Sequence, residues 1–208
     1  MDIAFKSNSK APYFLLSNFY GGSEFTYMSQ RTQNVNLKKL YIKLRDNLDY
    51  DTFKIYRERL MGKKIYKEGY KDAYVKTYNG KEYYGFGLIA KLISACYKTS
   101  MKKRLKVVNE IAKEIHIEGN ITQEDFIDGK EYENIGYMKI ALQLKFQNEP
   151  YKTVLMETYP MKLYERQGNR GMSLWAGKDG WLGTLLMEIR EELKSAVLGK
   201  RKRLQLKF

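Results

Sequence analysis

The sequence predicts a mainly α-helical protein that carries a small β-hairpin. Apolar residues recur at the three- and four-residue spacing of a helix face in several segments. Residues 74–84 differ, because Asn79-Gly80 lies between arms rich in Tyr, Val and Thr, which is typical of a hairpin. With 208 residues, 43% of them hydrophobic, the chain is long enough to bury a core as one domain or as one domain with an insertion.

In the first part of the chain, residues 1–24 contain proline and glycine breakers and are predicted to be irregular. A helix is expected over Leu37–Leu48, with Asn36 as its N-cap. A second, shorter helix is expected to begin after Asp51 and to stop at Gly62.

Helical spacing continues through the second half of the chain. Thr122 and Asp125 form a plausible capping box, and a glycine-rich loop is expected over residues 168–180. The predicted helices are two within Leu88–Ile115 broken near Lys98–Ser100, one over 132–147, one over Tyr151–Thr158 and one from Asp179 or Gly180 to Gly199. In the 132–147 helix the inward residues are expected to be Ile135, Met138, Ala141, Leu142, Leu144 and Phe146.

The charge balance favours polyanionic partners. Lys and Arg number 38 against 24 Asp and Glu, a formal charge of +14. Phosphate contacts and counterion release stabilise such pairings. The segment 200–208 carries five basic residues and no acidic one, and is interpreted either as a phosphate-contacting tail or as a solvated terminus.

Several classes of site are disfavoured by composition. One cysteine, Cys96, excludes a disulfide framework and a cysteine-based zinc cluster, and one histidine, His116, makes a His-metal site or a Ser-His-Asp triad improbable. No apolar run approaches the roughly 20 residues that span a bilayer, and no signal peptide is evident. We therefore expect a cytoplasmic protein that does not act at a membrane.

Two segments carry candidate site residues. In residues 12–20, the polar pair Ser17-Asn18 lies among aromatic residues, where it suits a ribose or a base edge with Phe19 or Tyr20 as a stacking ring, although a plain capped loop has the same pattern. The second segment, residues 172–183, places glycines before a helix, an arrangement that admits an anion to backbone N–H groups. There Trp175 offers a flat face, and Asp179 is either an N-cap or a catalytic carboxylate.

Four motifs, in this order, resemble the NADAR family (YbiA-like proteins). They are SNFY near the start, MKIALQLKFQ at 138–147, METYPMKLYER at 156–166 and LWAGKDGWLGTLLMEIREEL at 174–193. The family's patterns are "AL-x-x-KF", "L-x-x-T-x-P-x-x-L-x-E", a Trp-Gly loop and "LG-x-LLME-x-R-x-x-L". Roughly 90 of the 208 residues are covered by the resemblance.

The resemblance implies a mainly helical, YbiA-like fold and action on N-glycosidic bonds of ribose-phosphate compounds. The implied reaction removes ADP-ribose from guanine bases in nucleic acid, in an antitoxin or anti-defence role, or acts on a small ADP-ribose-containing compound. No metal and no redox cofactor are expected. Ligand contacts are expected from Ser17, Asn18, Phe19, Trp175 and Gly177.

The chain departs from the family at one catalytic motif. The family continues from "F-x-Y-x-G-x-x-Y-x-S-V-E-H" into a helix ending in Lys, with the Glu seven residues before that Lys. Laid without gaps on residues 25–43, the pattern puts Lys43 at the lysine and Asn36 at the glutamate. A shifted register puts Arg31 and Lys38 there, so neither register supplies a carboxylate.

A general acid–base group contributes about 10²–10⁴-fold to the reaction rate. Without the glutamate, other residues must be considered for its role. Lys43 is a candidate nucleophile that would form a Schiff base with an opened ribose. A solvent-facing lysine without a catalytic role is the equally weighted alternative. Asn36 is a candidate hydrogen-bonding partner of ribose, and Asp179 or Glu188 a substitute carboxylate.

We predict one NADAR-like domain over residues 1–199 with an insertion at about 45–130, followed by the basic tail at 200–208. The insertion is interpreted as a substrate-access or nucleic-acid surface, or as a structural elaboration. Two other functions remain open: a non-catalytic protein that binds or sequesters an ADP-ribose-like nucleotide or a modified base, and a general basic nucleic-acid-binding protein. The oligomeric state is not predicted.

Overall fold

The computed structural model describes residues 2–62, 74–126, 131–167 and 173–205, and it is mainly helical. The first elements, in chain order, are β1 (Asp2–Phe5), a 3₁₀ helix (Tyr13–Leu16), α1 (Ser23–Arg31), α2 (Val35–Asn47), α3 (Tyr50–Met61), β2 (Val75–Tyr78), β3 (Lys81–Tyr84) and α4 (Gly87–Ser94). They are followed by 3₁₀ helices at Ala95–Tyr97 and Thr99–Met101, α5 (Lys102–Glu114), a 3₁₀ helix at Gln123–Asp125, α6 (Glu131–Lys145), α7 (Tyr151–Glu157), β4 (Lys162–Glu165) and α8 (Trp181–Gln205).

Contacts divide the chain into two compact units. Unit 1 comprises Met1–Ser17 and Leu142–Phe208, and unit 2 comprises Asn18–Ala141. The predicted single domain with an insertion at about 45–130 remains a prediction, because a division by contacts does not separate an insertion from its host.

Unit 1 is organised around a two-stranded parallel sheet. β1 pairs with β4 in the register Ile3 to Leu163, and α8 packs on β4 and on α7. Its core consists of apolar side chains: Ile3, Phe5, Phe14, Leu15, Leu16, Leu142, Phe146, Val154, Leu155, Leu163, Leu182, Leu185, Leu186 and Ile189. Four of these lie on one face of α8, as the helical spacing predicts.

Unit 2 is a set of packed helices with a hairpin. α1 packs on α2 and α4, and α3 packs on α4 and α5. β2 and β3 are antiparallel, and their turn residues Asn79 and Gly80 have φ of 50° and 73°, the left-handed values that a type I′ turn needs. The hairpin prediction is therefore confirmed. The buried apolar residues of the helices include Phe25, Leu37, Leu40, Tyr41, Leu44, Phe53, Tyr56, Leu60, Ile89, Ala90, Ile93, Val108, Ile111 and Ala112.

Several predicted helix boundaries are confirmed. α3 ends at Gly62 with φ of 63°, as predicted, but it begins at Tyr50 and not after Asp51, because the side chain of Asp49 accepts from the Thr52 N–H and caps the helix. The break near 98–100 separates α4 from α5, and the capping box of Thr122 and Asp125 starts the 3₁₀ helix there.

Other boundaries differ from the predictions. The N-cap of α2 is Asn34, whose Oδ1 accepts from the Leu37 N–H at 2.8 Å, and Asn36 lies inside the first turn. Apolar spacing does not detect that turn, because Val35 is 62% exposed. Residues 1–24 are not irregular throughout, since they contain β1, a 3₁₀ helix and the start of α1.

The last helix runs through Gly199 to Gln205 and does not stop at the glycine. A glycine in a helix costs only about 1 kcal/mol relative to alanine, and the neighbouring leucine, lysine and arginine residues are good helix formers. The predicted phosphate-contacting tail is thus helical over residues 200–205, while residues 206–208 and part of the predicted glycine loop, 168–172, lie outside the described residues.

Candidate functional site

The chain passes from unit 1 to unit 2 within the predicted polar pair, because Ser17 belongs to unit 1 and Asn18 to unit 2. Ser17 is 2% exposed and follows the 3₁₀ helix as its C-cap. Its carbonyl accepts a 2.7 Å hydrogen bond from Nζ of Lys145, which belongs to the same unit and is only 3% exposed. The ammonium also lies 5.0 Å and 5.1 Å from the ring centroids of Phe146 and Tyr151.

Lys145 is a buried cation that the sequence analysis did not select. Helical spacing predicted Leu144 as the inward residue, but Leu144 is 46% exposed. The backbone carbonyl and the two ring faces offset the cost of desolvating an ammonium group. Its place in the "AL-x-x-KF" pattern was the signal that could have found it.

Asn18, the first residue of unit 2, has an unsatisfied acceptor. Its side chain is 8% exposed, and Oδ1 is buried without a hydrogen-bond partner among the described residues. The backbone carbonyl of Asn18 is satisfied, because it accepts from Oγ of Ser23 at 2.8 Å. A buried polar atom without a partner costs about 1–3 kcal/mol, which makes this Oδ1 a candidate acceptor for a ligand.

Glu24 is the second polar group at this position. It lies in the first turn of α1 and is 9% exposed. Gly87, at the start of α4, packs against both residues: a Cβ there would lie 2.8 Å from Cα of Phe19, 3.0 Å from Cβ of Glu24 and 3.1 Å from the Asn18 carbonyl oxygen. Only glycine permits this close approach.

The ring of Phe19 completes the cluster. It is half-buried, and Nζ of Lys91 on α4 lies 5.3 Å from its centroid. We call Asn18, Phe19, Glu24, Gly87 and Lys91 the Asn18–Glu24 site. It combines a carboxylate, an amide acceptor, an aromatic ring and a cation, all within unit 2.

The helix that carries Glu24 ends in a basic residue. Arg31 is the last residue of α1 and lies seven positions after Glu24, two helical turns along the same face. Both residues influence the hydroxyl of buried Tyr41. Burial raises the pKa of this hydroxyl well above the ordinary range, and among the smaller effects Arg31 lowers the pKa and Glu24 raises it. Arg31 and Tyr41 also line a small pocket of about 30 Å³, room for one or two water molecules.

Glu24 and Arg31 have the same seven-residue spacing as the two registers laid on residues 25–43, and here the first residue is a carboxylate. Glu24 lies seven residues before Arg31, the basic residue that ends the same helix. The chain passes from Gly22 directly into α1, so Phe25 and the residues after it are helical.

Lys43 and Asn36 have structural contacts elsewhere in unit 2. Nζ of Lys43 donates to the carbonyls of Ile115 at 2.8 Å and His116 at 3.3 Å, at the C-terminal end of α5. A cation at this end of a helix stabilises the backbone dipoles. The amide of Asn36 packs against Gly119. A neutral, nucleophilic amine has two N–H bonds, and both would already be committed here.

Lys43 also borders an open groove of about 290 Å³. Its other lining residues are Leu44, Asn47, Leu48, Thr52, Tyr56, Ile115 and His116. Several of these polar groups bond within the protein: Asn47 donates to the Lys43 carbonyl and Thr52 to Asp49.

The remaining predicted residues lie in unit 1. Trp175 and Gly177 are half-buried in the loop before α8, and Asp179 and Glu188 are exposed. Gly177 has φ of 101°, and its N–H donates to the Glu165 carbonyl at 2.8 Å.

The start of α8 is already partly satisfied by this loop. The N–H groups of Trp181 and Leu182 donate to the carbonyls of Leu174 and Trp175 at 3.0 Å and 3.2 Å. Those two N–H groups are therefore occupied by the chain itself and are not free for the anion that the glycine-rich loop was expected to admit.

Within the described ranges, no group of three or more His, Cys, Asp and Glu residues is arranged to hold a metal ion, and no helix is long and apolar enough to cross a membrane. Comparison with protein-family models, with curated proteins and with solved structures finds no match for the chain. The quoted motifs and the geometry above are thus the basis for any functional proposal.

Proposed function

We propose that the protein is a NADAR-type N-glycosidase with a YbiA-like fold that removes ADP-ribose from guanine bases in nucleic acid. One observation supports the proposal most: a buried glutamate, Glu24, packs against Gly87 together with the backbone of Asn18, and it lies seven residues before Arg31 on one helix. This arrangement supplies the carboxylate whose absence at Asn36 was the main objection.

In this proposal Glu24 is the catalytic base. Its carboxylate accepts a proton from water as the water oxygen bonds to C1″ of the ribose. The bond between C1″ and the guanine nitrogen breaks, and its electron pair and a proton go to guanine. A positioned carboxylate of this kind contributes about 10²–10⁴-fold to the rate.

The neighbouring residues bind the substrate. Oδ1 of Asn18 accepts a hydrogen bond from a ribose hydroxyl, which satisfies a buried atom that has no partner among the described residues. Phe19 stacks on a ring, and Lys91 adds positive charge next to it for the pyrophosphate. Ser17, Trp175 and Gly177 stay candidates on the strength of the resemblance alone.

The test is incubation of the purified protein with a guanine-ADP-ribosylated oligonucleotide, followed by mass spectrometry. Glu24→Gln keeps the shape of the side chain and removes its basicity, so we expect release of ADP-ribose to fall about 10²–10⁴-fold. Glu118→Gln is the matched control, because Glu118 is exposed in the same unit. It should release ADP-ribose at the wild-type rate.

Other outcomes identify the alternatives. Tight binding of ADP-ribose by the wild type, with intact substrate recovered, indicates a non-catalytic binder. Indifference to ADP-ribose together with binding of unmodified oligonucleotide indicates a general nucleic-acid-binding protein. Equal turnover by wild type and Glu24→Gln excludes Glu24 from the mechanism.

A further inference from the structure

The groove that Lys43 borders lies within unit 2, between the end of α2, the first half of α3 and the residues that follow α5. None of its lining residues belongs to the Asn18–Glu24 site. Its volume of about 290 Å³ is close to the lower limit of small-molecule sites, which occupy about 300–1,000 Å³. The groove can therefore hold one small molecule.

Much of the lining is apolar. Leu44 and Tyr56 are buried and form its deep side, and Leu48 and Ile115 are half-buried. A ring placed against these side chains would remove apolar surface from water on both partners. The lining therefore favours a ligand with a ring over a fully hydrated ion.

A cation is held in a fixed position at the edge of the groove. Nζ of Lys43 donates to the carbonyls of Ile115 and His116 at 2.8 Å and 3.3 Å. An ammonium group has three N–H bonds, and no third acceptor is found among the described residues. Lysine binds phosphate groups as a point charge, so the remaining N–H is available to an anion.

His116 places the only imidazole of the chain on the same groove. Its carbonyl accepts from Lys43, so its backbone adjoins the ammonium group. Its side chain is exposed and makes no hydrogen bond within the described ranges. Its φ of 56° is a left-handed value that favours glycine. A histidine at this position adds a second hydrogen-bonding group beside the cation.

The lining contains no carboxylate among the described residues. Its other polar side chains bond within the protein, since Asn47 donates to the Lys43 carbonyl and Thr52 donates to its cap residue. The acidic residues nearest to the groove in sequence also have partners, which pair Asp46 with Arg45, Asp49 with Thr52 and Glu114 with Arg59. A cation and an imidazole without an opposing carboxylate in the lining match a negatively charged ligand.

We propose that this groove, which we call the Lys43–His116 groove, binds a nucleoside monophosphate. The phosphate contacts the Lys43 ammonium and the His116 imidazole, and the base covers the apolar side at Leu44 and Tyr56. Inorganic phosphate would leave that apolar side in water, and a nucleoside without phosphate would leave the cation without an anion. Neither alone matches the groove.

The experiment follows the imidazole proton signal of His116 by NMR during titration with AMP and, separately, with UMP. Because the chain has one histidine, the protein without a histidine tag gives a single such signal. We expect the signal to shift and saturate with a Kd below about 1 mM for at least one of the two nucleotides. Adenosine, uridine and inorganic phosphate should each bind about tenfold more weakly than that nucleotide.

Two groove variants and a matched control are then measured by calorimetry. Lys43→Met should weaken nucleotide binding about 10–100-fold, because it removes a charge-assisted hydrogen bond. His116→Gly should weaken it about 3–10-fold, and glycine suits the left-handed backbone there, so unfolding would not explain the loss. Lys39→Met removes the same charge from an exposed position of α2 outside the groove and should change Kd by less than about twofold.

Several results would overturn the proposal. They are the absence of a shift in the His116 signal at about 1 mM of either nucleotide, wild-type affinity in either groove variant, and inorganic phosphate binding as tightly as the nucleotides. An equal loss in Lys43→Met and Lys39→Met would mean that net charge alone acts, and would also overturn it. These assays contain no ADP-ribosylated substrate, so the Lys43–His116 groove and the N-glycosidase proposal stand or fail separately.

Discussion

Replacement of Lys43 by methionine separates a helix-capping lysine from a catalytic one. The Lys43 ammonium donates to the carbonyls of Ile115 and His116, which lie beyond the last residue of α5. Methionine keeps the length of the apolar stem but removes the charge and the donors. If capping is the function of Lys43, stability falls and removal of ADP-ribose continues.

The magnitude follows from the position of the group. A cation at a helix C-terminus contributes about 0.3–1 kcal/mol at the protein surface. Lys43 is exposed, so its two hydrogen bonds compete with water and add little more. We therefore expect Lys43→Met to lower the free energy of unfolding by about 0.5–1 kcal/mol. The difference from the wild type should become smaller at high ionic strength, because salt screens the dipole interaction.

The assay is urea unfolding followed by circular dichroism, with hydrogen exchange of the amides in the last turn of α5. The control is Lys39→Met, an exposed lysine on the same helix for which no such carbonyl contact is found. It should unfold like the wild type within about 0.3 kcal/mol. If Lys43→Met were as stable as the wild type but released ADP-ribose 100-fold more slowly, Lys43 would be catalytic and the capping argument would be wrong.

Three other predictions test separate parts of the structure. Gly87→Ala should lower stability and impair ligand binding, because the new Cβ would come 2.8 Å from Cα of Phe19. Urea unfolding measures the first effect and calorimetry with ADP-ribose the second, and binding as tight as in the wild type would contradict the prediction. His116→Gly should raise the free energy of unfolding by about 1 kcal/mol, because His116 has φ of 56° after α5; a decrease would show that its side chain is needed. Burial raises the pKa of the Cys96 thiol to about 12, so the native thiol should resist a disulfide reagent at pH 8 that labels the unfolded chain. The unfolded thiol ionises first, so stability should fall as pH rises above about 9, and rapid native labelling would refute the assigned burial.

Sequence periodicity failed for α1 for a physical reason. Seven of its nine residues are buried, and four of those are polar: Ser23, Glu24, Thr26 and Ser29. A helix surrounded on nearly all sides by protein has no exposed face, so its polar residues do not alternate with apolar ones at a helical period. The candidate carboxylate was overlooked because it belongs to this helix.

The two-stranded sheet of unit 1 was also beyond local inference. β1 and β4 are four residues each and lie at distant positions in the sequence, Asp2–Phe5 and Lys162–Glu165. Neither segment has a turn or a partner nearby that would identify it as a strand. The pairing becomes visible only when both backbones are placed side by side.

The sequence by itself determined the features that depend on neighbouring residues. These include the hairpin at Asn79-Gly80, the cap at Gly62, the break between α4 and α5, and the apolar face of α8. Turn geometry, capping and helical spacing act over a few residues, so a short window of sequence contains their cause.

Only the tertiary structure decided which polar groups are buried and what they meet. It placed Glu24 and Asn18 against Gly87, which follows them by more than sixty positions, and it committed Lys43 to the end of α5. It also buried Lys145 in place of Leu144. These outcomes depend on contacts between distant segments, whose desolvation costs and hydrogen bonds exist only after the chain has folded.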